Sequence, residues 1–402
     1  MRILPLMTSL VFLLLVGCGQ PQGSSNSNDG NSDGKITIRF SHVVRQNTPK
    51  GVGANMLKRL VNEHLGEKYR MEVYPDALLY EDDENMMKAL EDGKIHLAAP
   101  SISKLIRCNP KLEIFDLPFL FEDTKAVWRF YENAKELLFK KDAKSGEVFL
   151  GSGEYEKYLV LALWHGGMKQ LSAKLSANQS LKEPKDIQGL KFRVQKVFDD
   201  KNTENGSVLN IQFEALGITP VALDFKEVYK KLRDGKVNGQ ENIWSSNYSE
   251  RYHHVQNHFI ETNHGYLGYL LITSTAFWNG LDKTVREGLK KAIDEVTKEI
   301  NGTEQKEGLA EELNDLARSQ IVKESKEDKK LKGLEVVRSE EVNRDKWCKA
   351  VWEGEKQEEW KEVLKKMDAE LLEKARKANS TQSVKEGCPF SSKVFKSIYK
   401  TQ

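Results

Sequence analysis

Cysteine is scarce here, four in 402 residues, and none stands in a C-x-x-C spacing. That excludes a zinc site of paired cysteines and a self-contained disulfide framework. An excess of one charge is also lacking. Sixty-two Lys and Arg oppose 60 Asp and Glu, a formal charge of +2, so no basic field argues for nucleic acid or an anionic membrane surface. Any anion the chain binds must meet a local site. No apolar run reaches the roughly 20 residues that span a bilayer. The sequence has no internal repeat, no G-x-S-x-G, no H-E-x-x-H, no phosphate loop and no dinucleotide fingerprint, so neither enzyme chemistry nor a cofactor has a visible anchor.

With 39% apolar and 30% charged residues the chain can bury a sizeable core, and its length fits two domains better than one. The first segment reads as a signal peptide, residues 1–17, with Arg2 ahead of a short apolar run from Leu10 to Val16. Leu15-Val16-Gly17-Cys18 resembles a lipobox, which makes Cys18 the expected lipidated first residue of the mature chain. Residues 18–34, rich in Gly, Ser and Asn, read as a flexible tether. Cys108, Cys348 and Cys388 then remain, with room for one bridge outside the cytoplasm, for example Cys348 to Cys388.

The body alternates strand and helix, which predicts an α/β fold. Ile36, Ile38 and Phe40 mark a strand, followed after Asn47-Thr48-Pro49 by a helix with Val52, Met56, Leu60 and Val61 on one face. Further strands are expected around Met71, Ile95–Ala99, Tyr158–Leu163, Met168–Ser172, Lys191–Val194 and Tyr266–Thr273, with Lys140–Lys157 as a loop and Asp224 capping a helix. From Leu281 a helical stripe runs without proline. Continued to about Gln320, it would be roughly 60 Å long at ~1.5 Å per residue, enough to lie across two lobes. A last helix carries Trp360, Val363, Leu364, Met367 and Leu371.

Among residues that could carry chemistry, Arg193 stands out. In Lys191-Phe192-Arg193-Val194 the apolar residues alternate, leaving Lys191 and Arg193 on the opposite face. An arginine there can hold a carboxylate with two parallel N–H···O bonds, or it can simply face solvent. His253, His254 and His258 have spacing suggestive of metal ligands, but an aromatic-interleaved, solvated helix face accounts for them, and no metal is expected.

Gly189-Leu190-Lys191-Phe192-Arg193-Val194, Phe225-x-Glu227-Val228-Tyr229 and Gly239-Gln240-Glu241-Asn242, in this order, resemble successive motifs of TRAP transporter solute-binding proteins, the DctP-like family. Several other stretches are similar to the branch that binds C4-dicarboxylates such as malate, succinate and fumarate. They are Phe40-Ser41-His42-Val43-Val44 with Thr48-Pro49-Lys50-Gly51, Ala98-Ala99-Pro100-Ser101, Phe115-Asp116-Leu117-Pro118-Phe119-Leu120-Phe121, and Trp164-His165-x-Gly167-Met168-Lys169-Gln170-Leu171-Ser172. The likeness runs from Lys35 to about Asn379.

The resemblance implies a two-lobed, flytrap-like α/β receptor without cofactor or catalysis, braced by a long helix, with substrate between the lobes. Residues 35–165 and 266–310 would form the first lobe, 166–265 and 311–379 the second, and 380–402 a tail. Arg193 matches the family's carboxylate-pairing arginine, Asn242 the asparagine that closes the G-Q-E-N motif, and Lys169 a second basic anchor. Lys50 and Ser101 are the candidates for a far carboxylate, with Phe225 or Trp244 as an apolar wall. The implied partners are a small organic acid and the membrane permease of the system, and the implied location is extracytoplasmic, at a membrane through Cys18. A second reading keeps the fold but changes the ligand to a monocarboxylate, keto acid or sugar acid, or the output to a sensor. A lipid-anchored enzyme would need a nucleophile or metal constellation the sequence does not offer. Ile243 stands where the family usually has Pro, Asn238 where Asp is common, and Phe198–Val208 looks like an insertion.

Overall fold

The computed structural model of the protein describes residues 34–197, 208–380 and 387–399. Cys18, the signal segment and nearly all of the Phe198–Val208 insertion lie outside these. The first half of the body contains β1 (Ile36–Ser41), α1 (Pro49–His64), β2 (Tyr69–Tyr74), α2 (Asp83–Glu91), β3 (Leu97–Ala98), α3 (Thr124–Leu138), β4 (Lys140–Lys141) and β5 (Val148–Phe149). There follow β6 (Tyr158–Ala173), β7 (Lys191–Gln195), α4 (Val208–Ala215), β8 (Thr219–Leu223), α5 (Val228–Arg233), β9 (Gly239–Asn242), α6 (Trp244–Ser249) and β10 (His258–Ser274). The chain closes with α7 (Thr275–Gly280), α8 (Lys283–Asn301), α9 (Leu309–Glu327), β11 (Glu335–Val337), α10 (Arg344–Trp352), α11 (Gln357–Lys366), α12 (Ala369–Ala378) and α13 (Lys393–Tyr399).

Two long antiparallel strands, β6 and β10, organise everything else. The order β2-β1-β3-β10-β6-β9-β7-β8 sets parallel strands β1 to β3 on one side of this pair and parallel strands β7 to β9 on the other. β3 meets β10 at Ile272, whereas β9 meets β6 at Gln170 to Ala173, so the two half-sheets attach to opposite ends of the pair. Each becomes a lobe. The sequence pattern breaks β6 into two short strands. The structure runs them together, because Trp164 to Met168 still pair with β10 through register shifts between Ile260 and Gly265 and between Leu267 and Gly268. Both faces of β6 are covered, which erases the alternation that would have revealed its length.

The single long helix expected from Leu281 is two helices. Asn301 ends α8, Gly302 turns with φ +73°, and a Cβ at Gly302 would lie 2.4 Å from the Gly308 nitrogen and the Lys306 carbonyl. The chain doubles back there before α9 starts. α8 packs on α1 and β6 of the first lobe, and α9 chiefly on α6 of the second, so the brace is a pair of helices rather than one. The expected last helix likewise divides, since the Asp368 carboxylate accepts from the Glu370 and Leu371 amides and starts α12 afresh. α12 lies on α3 of the first lobe while α10 and α11 lie on α4 of the second, so the 311–379 segment is tied to both lobes. Lys140–Lys157 is a small hairpin of β4 and β5 with a 3₁₀ turn.

Cys348 and Cys388 form a disulfide, with Cα atoms 5.9 Å apart, that fastens the C-terminal segment to α10. Cys108 is buried and unbridged in the first lobe's core. Among the described residues no helix is long and apolar enough to cross a membrane.

Candidate functional site

The carboxyl ends of β1, β3, β7, β8 and β9 converge on one cleft between the lobes, the position at which open α/β sheets take ligands. Lys50 enters from the first turn of α1. Thr48 caps that helix by accepting from the Gly51 amide, and Gly51 has no Cβ because one would stand 2.4 Å from the Arg45 carbonyl. This tight entry buries the lysine. Its Nζ donates to the Ala99 carbonyl (2.9 Å) and sits 4.1 Å over the Tyr269 ring. Burial lowers the Lys50 ammonium to about 8, against a smaller opposing pull from Asp83.

From the second lobe comes β7. Phe192 and Val194 pack inward, Phe192 against Phe213 at 5.8 Å. Arg193 and Gln195 take the other face, and that face is the cleft: Arg193 is only 5% exposed. Its Nε and one terminal nitrogen donate to the Leu223 carbonyl at 3.2 and 3.0 Å. Those bonds fix the guanidinium plane and use two of its five donors. Burial lowers the Arg193 group from its ordinary value, while Tyr252, Glu241 and Asp224 support the charge. Asn242 ends β9, and its side-chain oxygen accepts from the Ile243 amide (3.0 Å), leaving the NH₂ end without a hydrogen bond among the described residues.

Behind these lies a buried chain of charges. Lys169 donates to Glu241 Oε1 (2.9 Å), Glu241 Oε2 is 2.7 Å from His264 Nε2, and His264 Nδ1 is 2.7 Å from the Thr262 hydroxyl. Desolvation alone would push the Glu241 carboxyl up, but Lys169 and His264 together hold it at about 2. Asp116 sits nearby with one oxygen accepting from Ser103, and burial raises it to about 6.

Six of the seven sequence-predicted binding residues line this cleft: Lys50, Ser101, Lys169, Arg193, Phe225 and Asn242. The seventh, Trp244, does not. After Asn242 the chain turns into α6, which carries the indole to the far side of the second lobe. There it stacks on Phe259 at 5.6 Å and donates to Glu261 Oε1 (2.9 Å) beneath α9. Asp224 also departs from expectation. It makes no capping bond and instead faces Lys104 at 3.8 Å and Lys196 at 3.9 Å. Sequence reasoning missed Asp83, Lys104, Gln195 and Tyr269 in the lining. Gln195 was within reach, being two residues beyond Arg193 on the same strand face. Lys104 follows Ser101 by one 3₁₀ turn, a register that no helical or strand periodicity shows.

Contacts cross the cleft directly. The Gln195 amide donates to the Ser101 hydroxyl, Lys226 to the Ala77 carbonyl (3.4 Å), and Arg45 pairs with Glu250 at 3.1 Å. The lobes are closed on a space of about 60 Å³.

Residues 40–366 match the family model for bacterial extracellular solute-binding proteins, family 7, also called DctP. The C4-dicarboxylate-binding periplasmic protein DctP of Vibrio cholerae is 42% identical over 282 residues, which cover 70% of this chain and 77% of that protein. The C4-dicarboxylate-binding protein DctB of Bacillus subtilis is 34% identical, with 72% and 75% covered. A TRAP periplasmic solute-binding protein from Shewanella oneidensis, solved with bound succinate, superposes with a TM-score of 0.69 at 33% identity, covering 86% of this chain and all of the other. A second from Pseudomonas aeruginosa, with bound L-malate, gives 0.65 at 36% identity, covering 79% and 99%. With the family model matching more than half of its length, the chain belongs to the DctP family of extracellular solute-binding proteins, and that family makes it a TRAP transport receptor rather than an enzyme.

Proposed function

We propose that the protein captures a C4-dicarboxylate, of the class of malate, succinate or fumarate, and delivers it to the membrane permease of its transport system. One observation carries this reading. The cleft is lined by four cationic side chains, Lys50, Lys104, Lys169 and Arg193, against two carboxylates, Asp83 and Glu241, an excess of two positive charges that suits a dianion. Names and bound ligands of relatives above 30% identity point the same way. In this reading Arg193 and Asn242 take one carboxylate, and Lys50 with Ser101 takes the other from the opposite lobe. Lys169, anchored by Glu241, adds charge, and Phe225 is the apolar wall. Ligand binding then selects the closed state by bridging the lobes. The proposed boundaries at 165/166, 265/266 and near 310 are supported by the register shifts of β6 with β10 and by the break at Gly302, but the assignment of 311–379 to the second lobe holds only up to α11, since α12 lies on the first. Lipid attachment at Cys18 would hold the receptor at the membrane. Cys18→Ser is expected to release soluble, ligand-competent protein, and mass spectrometry finding an unlipidated mature chain with another first residue would refute the anchor.

Arg193 gives the sharpest test of the ligand reading. Its truncation would leave a buried carboxylate unpaired, so Arg193→Ala should lose on the order of 2 to 5 kcal/mol of binding. Arg193→Lys should also lose affinity, since a point charge does not reproduce the planar fork, whereas Lys191→Ala, exposed at the strand's start, should change little. Calorimetry with succinate, malate and a monocarboxylate decides it. Wild-type affinity in Arg193→Ala, or a response to the monocarboxylate alone, would overturn the reading.

Lys50 predicts a pH dependence. Its folded-state value near 8 means that the free receptor sheds this proton above pH 8, while a bound dianion favours the ammonium. Affinity should therefore be full below pH 8 and fall about tenfold per unit above it, with proton uptake on binding at pH 8 to 9. Lys50→Met should be weaker but flat across that range. Calorimetry in buffers of different ionisation enthalpy reads the proton directly, and a wild-type affinity constant from pH 7 to 9.5 would exclude Lys50 from the site.

A further inference from the structure

A turn and a helix distant in sequence bring three donor groups together outside the binding cleft. Arg251 adopts a left-handed conformation (φ +57°) and opens a 3₁₀ turn, Tyr252–His254, that sets the two imidazoles side by side with ring centroids 4.4 Å apart. Opposite them α9 presents Glu324. Its Oε2 is 3.0 Å from His253 Nε2 and 3.9 Å from His254 Nε2, and the three ligand atoms all lie within 4.8 Å of one another. A cavity of about 540 Å³ adjoins them.

His253 is buried between two acceptors, the Asn247 carbonyl 3.4 Å from Nδ1 and the Glu324 carboxylate at Nε2. A neutral imidazole has one N–H and satisfies only one of them. A cation at Nε2 removes the conflict: Nδ1–H stays on the Asn247 carbonyl, the usual outer partner of a metal-bound histidine, and Glu324 becomes a ligand. Bonds of about 2.0 to 2.2 Å in a tetrahedral site put ligand atoms roughly 3.3 to 3.5 Å apart, between the two distances observed here, so small side-chain movements suffice. Tyr248 stacks on His253 at 5.6 Å and holds the ring, and its hydroxyl reaches Glu324.

We propose that His253, His254 and Glu324 form a site for a transition-type divalent cation, of which zinc is the representative, with a fourth position open to the cavity. Two imidazoles and one carboxylate select this class over magnesium or calcium. Arg45 and Arg251 border the same cavity and weaken the site relative to a structural zinc. His258 takes no part, because it lies on β10 against Asn257 and Glu335.

Chelator-stripped protein titrated calorimetrically with zinc chloride should take up one zinc per chain. His254→Ala and Glu324→Gln, both at partly exposed positions, should melt like the wild type without metal and bind zinc at least tenfold more weakly, while His258→Ala should bind normally. Cobalt(II) should give the visible absorption of a tetrahedral site with nitrogen ligands in the wild type only. Absence of saturable zinc binding to the wild type, or unchanged binding in both variants, would overturn the proposal.

Discussion

Lys169 and Glu241 meet at 2.9 Å with both side chains almost wholly out of water, at the junction of β6 and β9. Breaking such a pair by removing one partner costs about 3 to 5 kcal/mol, because the other charge is left buried alone. The arrangement of the cleft depends on it. Glu241 is engaged by Lys169 on one oxygen and His264 on the other, so this carboxylate, whose charge is felt by Arg193, is already committed. Arg193 is therefore oriented by a backbone carbonyl, and among the described residues it has no ion-pair partner of its own. Glu241 and Asp224 support its charge without a direct ion pair among the described residues, and a ligand carboxylate in the cleft would supply one.

Closure follows the same logic. The direct contacts across the cleft are few, and the ion pairs among them are partly exposed, worth about 0 to 1 kcal/mol each. In the closed form Lys50, Lys104 and Arg193 are also held out of water, and burial pushes all three below their ordinary values. The closed form is thus poorly supported by its own contacts, and a dianion that touches both lobes supplies what is missing. The shared strands β6 and β10 keep the geometry reproducible, since both half-sheets hang on one hydrogen-bonded pair.

Much of this was legible in the sequence, for identifiable reasons. Alternation in Leu190 to Val194 placed Arg193 opposite the core, and motif order placed Lys169 and Asn242 near it. What periodicity did not convey was that the face opposite the core is covered by another lobe, so a residue that reads as solvated is buried. The length of β6 was hidden because both of its faces are covered. The break at Gly302 was obscured because no proline marks it and the helical pattern resumes beyond it. Trp244 was misplaced because a strand ends between it and Asn242, and the side chain follows the helix. Glu324 reaches His253 from 71 residues away, a pairing that no local spacing encodes.

The most direct test is a crystal structure of the receptor with succinate or malate bound. The account predicts one carboxylate within hydrogen-bonding distance of Arg193 and Asn242 and the other at Lys50 or Ser101, with the Lys169–Glu241 pair intact. An occupied cleft in which Arg193 makes no bond to the ligand would contradict it.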